Sequence, residues 1–118
     1  MKIEKILVVD NDPKMRKLLD HFLSSYGYDV DCTDDGLDAL SIVDKGLYDL
    51  IIVDNKMPGL TGVQFVKEVR GKKKALLLIA LSADDVGDRF IEAGADFFMP
   101  KPFDLKSLKK EIDLLESL

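Results

Sequence analysis

Four polar positions in this sequence stand directly after short apolar runs or between prolines, and their types suit one kind of chemistry. Asp10 closes the run Ile6 to Val9 and is followed by Asn11 and Asp12; Asp54 closes Leu50 to Val53; Ser82 closes Leu76 to Leu81; Lys101 lies between Pro100 and Pro102. A carboxylate can attack phosphorus when a cation offsets its repulsion from the incoming dianion, and Mg2+ prefers carboxylate, carbonyl and water oxygens in an octahedron. Acids clustered beside the nucleophile supply that cation site, while a lysine and a hydroxyl stabilise the phosphoryl oxygens by charge and by hydrogen bonding. The set suits phosphoryl transfer, provided that the chain brings it together.

The elements needed to do so are legible. The three apolar runs are too short for globular helices and lack polar alternation, so they read as strands buried on both faces. Tyr28, Val30 and Cys32 alternate with Asp29, Asp31 and Thr33, as in a strand with one solvated side at a sheet edge. Cys32 then reads as a small buried strand residue, and Phe97 to Met99 as a fifth strand. Met15, Leu18, Leu19, Phe22, Leu23 and Tyr26 share one helical face, with Asp12 as N-cap and Pro13 in the first turn. Further helices are predicted from Gly36 to Lys45, after the Thr61/Gln64 capping box, from Val86 to Ala93 before Gly94, and along Leu105, Leu108, Ile112 and Leu115. Strands alternating with helices imply an α/β domain, a parallel sheet covered on both faces by right-handed crossovers. In such sheets the functional crevice lies beyond the carboxyl ends of the strands, where Asp10, Asp54, Ser82 and Lys101 would meet.

Composition narrows the partners. A chain of 118 residues with 47% hydrophobic content accommodates one domain, residues 1–118, with a real core. A net charge of −5 argues against nonspecific attraction to nucleic acid or anionic membranes, leaving proteins or small molecules. The single cysteine permits no intrachain disulfide, and the sequence lacks a signal-peptide core or a membrane-length apolar run, which points to the cytoplasm. Lys72 to Lys74, the only basic run, reads as a solvated loop.

The motifs "LIIVDNKMPGLTG", "ALSA" and "GADFFMPKPF", in that order after "LVVDNDP", resemble the receiver domains of two-component response regulators over essentially the whole chain. The resemblance implies a doubly wound (βα)5 fold with flavodoxin-like strand order 2-1-3-4-5. It implies Asp54 as phosphoacceptor, taking a phosphoryl group from a histidine kinase or a phosphotransfer protein, and Lys101 and Ser82 as its catalytic partners. Asp10, Asp54 and the backbone carbonyl of Lys56 would hold Mg2+ or Mn2+. Ser82 and Phe98 would act as switch residues, Phe97 as core, and the Lys101-Pro102 bond would be cis. The surface of the fourth helix, fifth strand and fifth helix would carry the change to a downstream protein or output domain. Nothing after the fifth helix suggests such a domain, so a stand-alone receiver and an excised one both remain open.

Two departures stand out. Asn11 occupies the family's second acidic position; an amide oxygen can ligate Mg2+ but brings no charge, which weakens binding by roughly 1–3 kcal/mol. The segment from Ser82 to Lys101 is about one helical turn shorter than the family pattern, so the fourth helix should be short, with Gly87 lowering its propensity further.

Taken singly, each site residue admits a plainer reading. Asp12 is a helix cap, Asp54 a strand terminator before a Pro-Gly turn, Ser82 a cap and Lys101 a solvated loop residue; His21 is exposed, and Met15, Met57 and Met99 are packing residues. Only the joint arrangement overturns these. Two rivals follow: a pseudo-receiver that binds partners without phosphorylation, supported by Asn11, and a haloacid-dehalogenase-type phosphatase with Asp10 as nucleophile and Asp12 as acid/base. The receiver reading describes a signalling switch acting on itself rather than an enzyme.

Overall fold

Branched aliphatic residues fill three strands, β1 (Lys5–Val9), β3 (Leu50–Asp54) and β4 (Leu77–Ser82), which form the centre of a sheet covered on both faces. The edges are β2 (Asp29–Thr33) and β5 (Phe97–Pro100), and the order β2-β1-β3-β4-β5 is parallel throughout. These observations come from a computed structural model that describes residues 2–73 and 75–118. Five helices alternate with the strands: α1 (Pro13–Ser24), α2 (Gly36–Lys45), α3 (Gly62–Lys72), α4 (Gly87–Ala93) and α5 (Leu105–Glu116).

The pleat sorts the strand side chains into two cores. Leu7, Val9, Ile51, Val53, Leu78 and Ala80 face α2, α3 and α4 with Phe65 and Phe90, whereas Ile6, Val8, Leu50, Ile52, Ile79 and Leu81 face α1 and α5 with Leu19, Leu23, Leu108 and Ile112. Each of these larger side chains contributes about 1.5–3 kcal/mol by leaving water. Register follows from the same sorting, since a slip of one residue would exchange the two faces.

Local signals set the helix starts. Lys14 N donates to Asp12 Oδ1 at 3.0 Å, and Asp35 accepts from Leu37 N and Asp38 N. Thr61 and Gln64 form the reciprocal capping box, the Gln64 amide donating to Thr61 Oγ1 and the Thr61 amide to Gln64 Oε1. Such caps are worth about 1 kcal/mol each. The short fourth helix is present, seven residues long.

Several expectations need correction. Cys32 is exposed rather than buried: it sits on an edge strand with β1 on one side only, its Sγ donating to Arg16 O of α1 at 3.9 Å. Leu18 and Tyr26 lie on the margin of the apolar stripe of α1, 46% and 52% exposed. Phe97 is only half-buried, packed on the α1/α5 side, while Phe98 is half-buried on the other face. The packing reading of the methionines holds: Met99 is buried, and Met15 and Met57 pack half-buried against the two cores. Gly87 opens α4 rather than interrupting it, so its low propensity has little effect there. Of the basic run, Lys72 ends α3 and pairs with Asp44 at 3.7 Å, Lys73 caps the helix, and Lys74 lies outside the described residues.

Candidate functional site

Among the described residues three buried ones are polar, and all three stand at carboxyl ends of central strands: Asp10 at 2% exposure, Asp54 at 7% and Ser82 at 1%. Lys101 joins them from the loop after β5. Its Nζ lies 2.9 Å from Asp10 Oδ2 and 3.3 Å from Asp54 Oδ1, so residues 91 positions apart share one ion pair. Its backbone is held by Lys101 N donating to Ser82 O at 2.9 Å, beside the cis Lys101-Pro102 bond.

Each carboxylate is placed by its own element. Asp10 N donates to Thr33 O, Asp12 N donates to Asp10 Oδ1 at 2.9 Å, and Arg16 donates to the Asp10 carbonyl at 2.7 Å. Asp54 is placed by the close approach of α3: a Cβ on Gly62 would lie 2.3 Å from the Asp54 carbonyl oxygen, so only glycine lets the helix start there. Asn55 continues this anchor, accepting at its carbonyl from Gly62 N and at Oδ1 from Val63 N.

The charges do not balance. Two carboxylates face one ammonium; a contact near 4 Å contributes about 4 kcal/mol at an effective dielectric near 20, while removing each ion from water costs several kcal/mol. Burial therefore dominates at Asp54 and pushes its carboxyl above the ordinary aspartate range, with Lys101 opposing and Asp10 reinforcing the shift. Burial also works to lower the Lys101 pKa, but Asp10 and Asp54 outweigh it and the net shift is upward.

The excess negative charge and hard oxygen donors of Asp10 and Asp54 fit a divalent cation. Among the described residues, however, no three acidic, histidine or cysteine side chains gather in a way that could hold a metal. The position beside Asp10 is the exposed amide Asn11, and Lys56 lies exposed on the loop just beyond Asp54. A hard cation here would keep several waters. Asp12 accepts from Lys14 N and serves as the α1 cap.

Two residues not nominated from the sequence complete the rim. Asp84 N donates to Ser82 Oγ at 3.0 Å, and the Asp84 carboxylate receives Asn55 Nδ2 at 3.3 Å and Lys56 Nζ at 3.2 Å. Hydrogen bonds from Asn55 and Lys56, in that order, hold the Asp84 carboxyl below its ordinary range. The short Ser82 to Asp84 turn was open to sequence reasoning as a hydroxyl-to-amide motif; the contact across 29 positions was not. Phe98 stands farther off, its ring 5.9 Å from Phe90 and nearly parallel to it.

Comparison with known proteins agrees with this fold. The family model described as response regulator receiver domain matches residues 6–113. A probable transcriptional regulator, ycf27, of Porphyridium aerugineum is 38% identical over 95% of this chain and 48% of its own length. Response regulator MprA of Mycobacterium tuberculosis is 38% identical over 88% of the chain and 46% of its length. The chain thus spans about half the length of these curated relatives. Such names give no support to the expectation that nucleic acid plays no part.

Among solved structures, chemotaxis response regulator CheY4 of Vibrio cholerae superposes with TM-score 0.88 at 32% identity, covering 95% of this chain and 98% of that one. TrrA of Thermotoga maritima, determined in complex with Mg(2+)-BeF, gives 0.89 at 36%, covering 96% and 99%. No helix among the described residues is long and apolar enough to cross a membrane. With the strand order, the relatives and a family model that matches residues 6–113 in agreement, the chain belongs to the response regulator receiver domains of two-component systems.

Proposed function

We propose that this chain, as one receiver domain over residues 1–118, accepts a phosphoryl group on Asp54 from a histidine kinase or phosphotransfer protein in the cytoplasm. The observation that carries the reading is Lys101 Nζ placed between Asp10 and Asp54, both buried, at the carboxyl edge of the sheet. Asp54 is the nucleophile because it is central, terminates β3 and carries a carboxyl that its surroundings leave incompletely neutralised. Lys101 offsets the charge on the phosphoryl oxygens, and Ser82, once released from Asp84 N, hydrogen-bonds one of them.

Asp10, Asp54, the Lys56 carbonyl and, weakly, Asn11 would hold Mg2+ or Mn2+. When bound, the cation supplies the charge neutralisation that lets a carboxylate meet a phosphoryl dianion. The phosphorylated state then shifts Ser82 and Phe98 and with them the α4-β5-α5 surface, read by a downstream protein or output domain. The chain acts as a switch that catalyses only its own modification and its reversal.

Labelling with acetyl phosphate at several Mg2+ concentrations, followed by mapping of the modified residue, tests this. Modification at Asp54 that needs Mg2+ is the expected result. Modification at Asp10 would instead support the phosphatase chemistry, and none at millimolar Mg2+ a binding module that has lost phosphorylation.

A further inference from the structure

We infer that Gly87 is a positioning residue: its missing side chain is the notch that holds the Phe98 ring, and this contact couples the start of α4 to the Ser82 hydroxyl. The inference rests on the proposed phosphoacceptor reading for its consequence, but its geometry stands by itself. A Cβ built on Gly87 would lie 2.9 Å from Phe98 Cδ2, 3.1 Å from Cε2 and 3.4 Å from Cγ. The ring occupies that space, with Phe90 against it on the same helix. Phe98 pairs in register with Ala80, two residues before Ser82, so its small neighbour on β4 leaves the ring free to pack toward α4.

The two ends of α4 are held differently. Val86, the N-cap, makes no side-chain capping bond. The far end is tied down, since Arg70 donates to Gly94 O at 2.9 and 2.7 Å and pairs with Asp96 at 2.9 Å. Only residues 83–86 separate Ser82 from Gly87, and Asp84 N holds Ser82 Oγ in the present arrangement. Turning the hydroxyl toward Asp54 breaks that bond and displaces the short loop leading into Gly87. The seated ring therefore accompanies the hydroxyl position seen here, and filling the notch penalises that position.

Gly87 does not adopt a positive φ, so Gly87→Ala adds one methyl without backbone strain. Aromatic and amide NMR of the metal-free protein should show a displaced Phe98 ring together with shifted Ser82 and Asp84 amides. Beryllofluoride with Mg2+, a mimic of the phosphorylated carboxylate, should bind the variant about fivefold or more tightly, because the competing arrangement is depopulated. In a Phe98→Ala background the same substitution should leave both the Ser82 and Asp84 amides and the affinity unchanged, as a pairwise coupling requires. Unmoved Phe98 resonances, unchanged or weaker beryllofluoride binding, or an equal effect without the Phe98 ring would each overturn the coupling. If beryllofluoride binds neither wild type nor variant, the phosphoacceptor reading fails, and the NMR comparison of Gly87→Ala with and without Phe98 still decides the coupling.

Discussion

The two ends of the sheet both carry carboxylates, and they use them differently. At the amino end, Asp49 Oδ2 accepts from Glu4 N and Lys5 N, Asp96 Oδ2 from Leu78 N and Arg70, and Glu116 Oε2 from Ile3 N. Each acid there joins neighbouring elements through backbone amides or a cation, which is the work of a staple. At the carboxyl end, Asp10 and Asp54 converge on one lysine, more deeply buried and with charge left over. The acids at the amino end are each matched by backbone donors or a cation, whereas the two at the carboxyl end also accept a backbone amide each but share a single ammonium.

Substitution at each end sharpens this contrast. The largest effect is expected from Asp54→Asn, which should reduce acetyl phosphate labelling by about a thousandfold or more, as removal of a nucleophile does; residual labelling mapped to Asp10 would reverse the assignment. Next, Lys101→Met leaves two buried carboxylates without their cation and should cost about 3 kcal/mol at neutral pH in urea unfolding. That loss should shrink on acidification, because the raised Asp54 carboxyl takes up a proton more readily when folded than when unfolded. At the other end, Asp49→Ala strips an acceptor from two backbone amides, and should cost about 1–3 kcal/mol while leaving Mg2+ affinity unchanged. A change in Mg2+ affinity would break the division of labour.

Smaller effects probe the site alone. Asn11→Asp should tighten Mg2+ binding about tenfold, the gain from one added charge after hydration; equal affinities by titration would show that the amide position is not a ligand. In the absence of Mg2+ the Asp54 carboxyl should titrate with a midpoint above the ordinary aspartate value of 3.8, because burial disfavours its charged form. Carboxyl NMR of Asp54 checks the same shift, and added Mg2+ should move it down.

Much of this was readable from particular residues. The runs before Asp10, Asp54 and Ser82 announce buried strands, Asp12 and the Thr61/Gln64 pair announce helix starts, and Gly46 and Gly94 announce helix ends. The same reading misjudged Cys32 because alternation reports which face a residue takes, not how much water reaches that face at a sheet edge. It misjudged Gly87 because propensity says nothing of a phenylalanine arriving from another strand.

The sequence by itself determined the element types, the strand ends that carry acids, and the family, because caps and periodicity act over a few residues along the chain. Only the tertiary structure decided which carboxylates are consumed and which remain. Asp49 and Asp54 bracket the same strand and are the same residue type, yet one meets two backbone amides and the other meets Lys101 and a second acid. That difference is set by neighbours tens of positions away, where burial and charge are decided together.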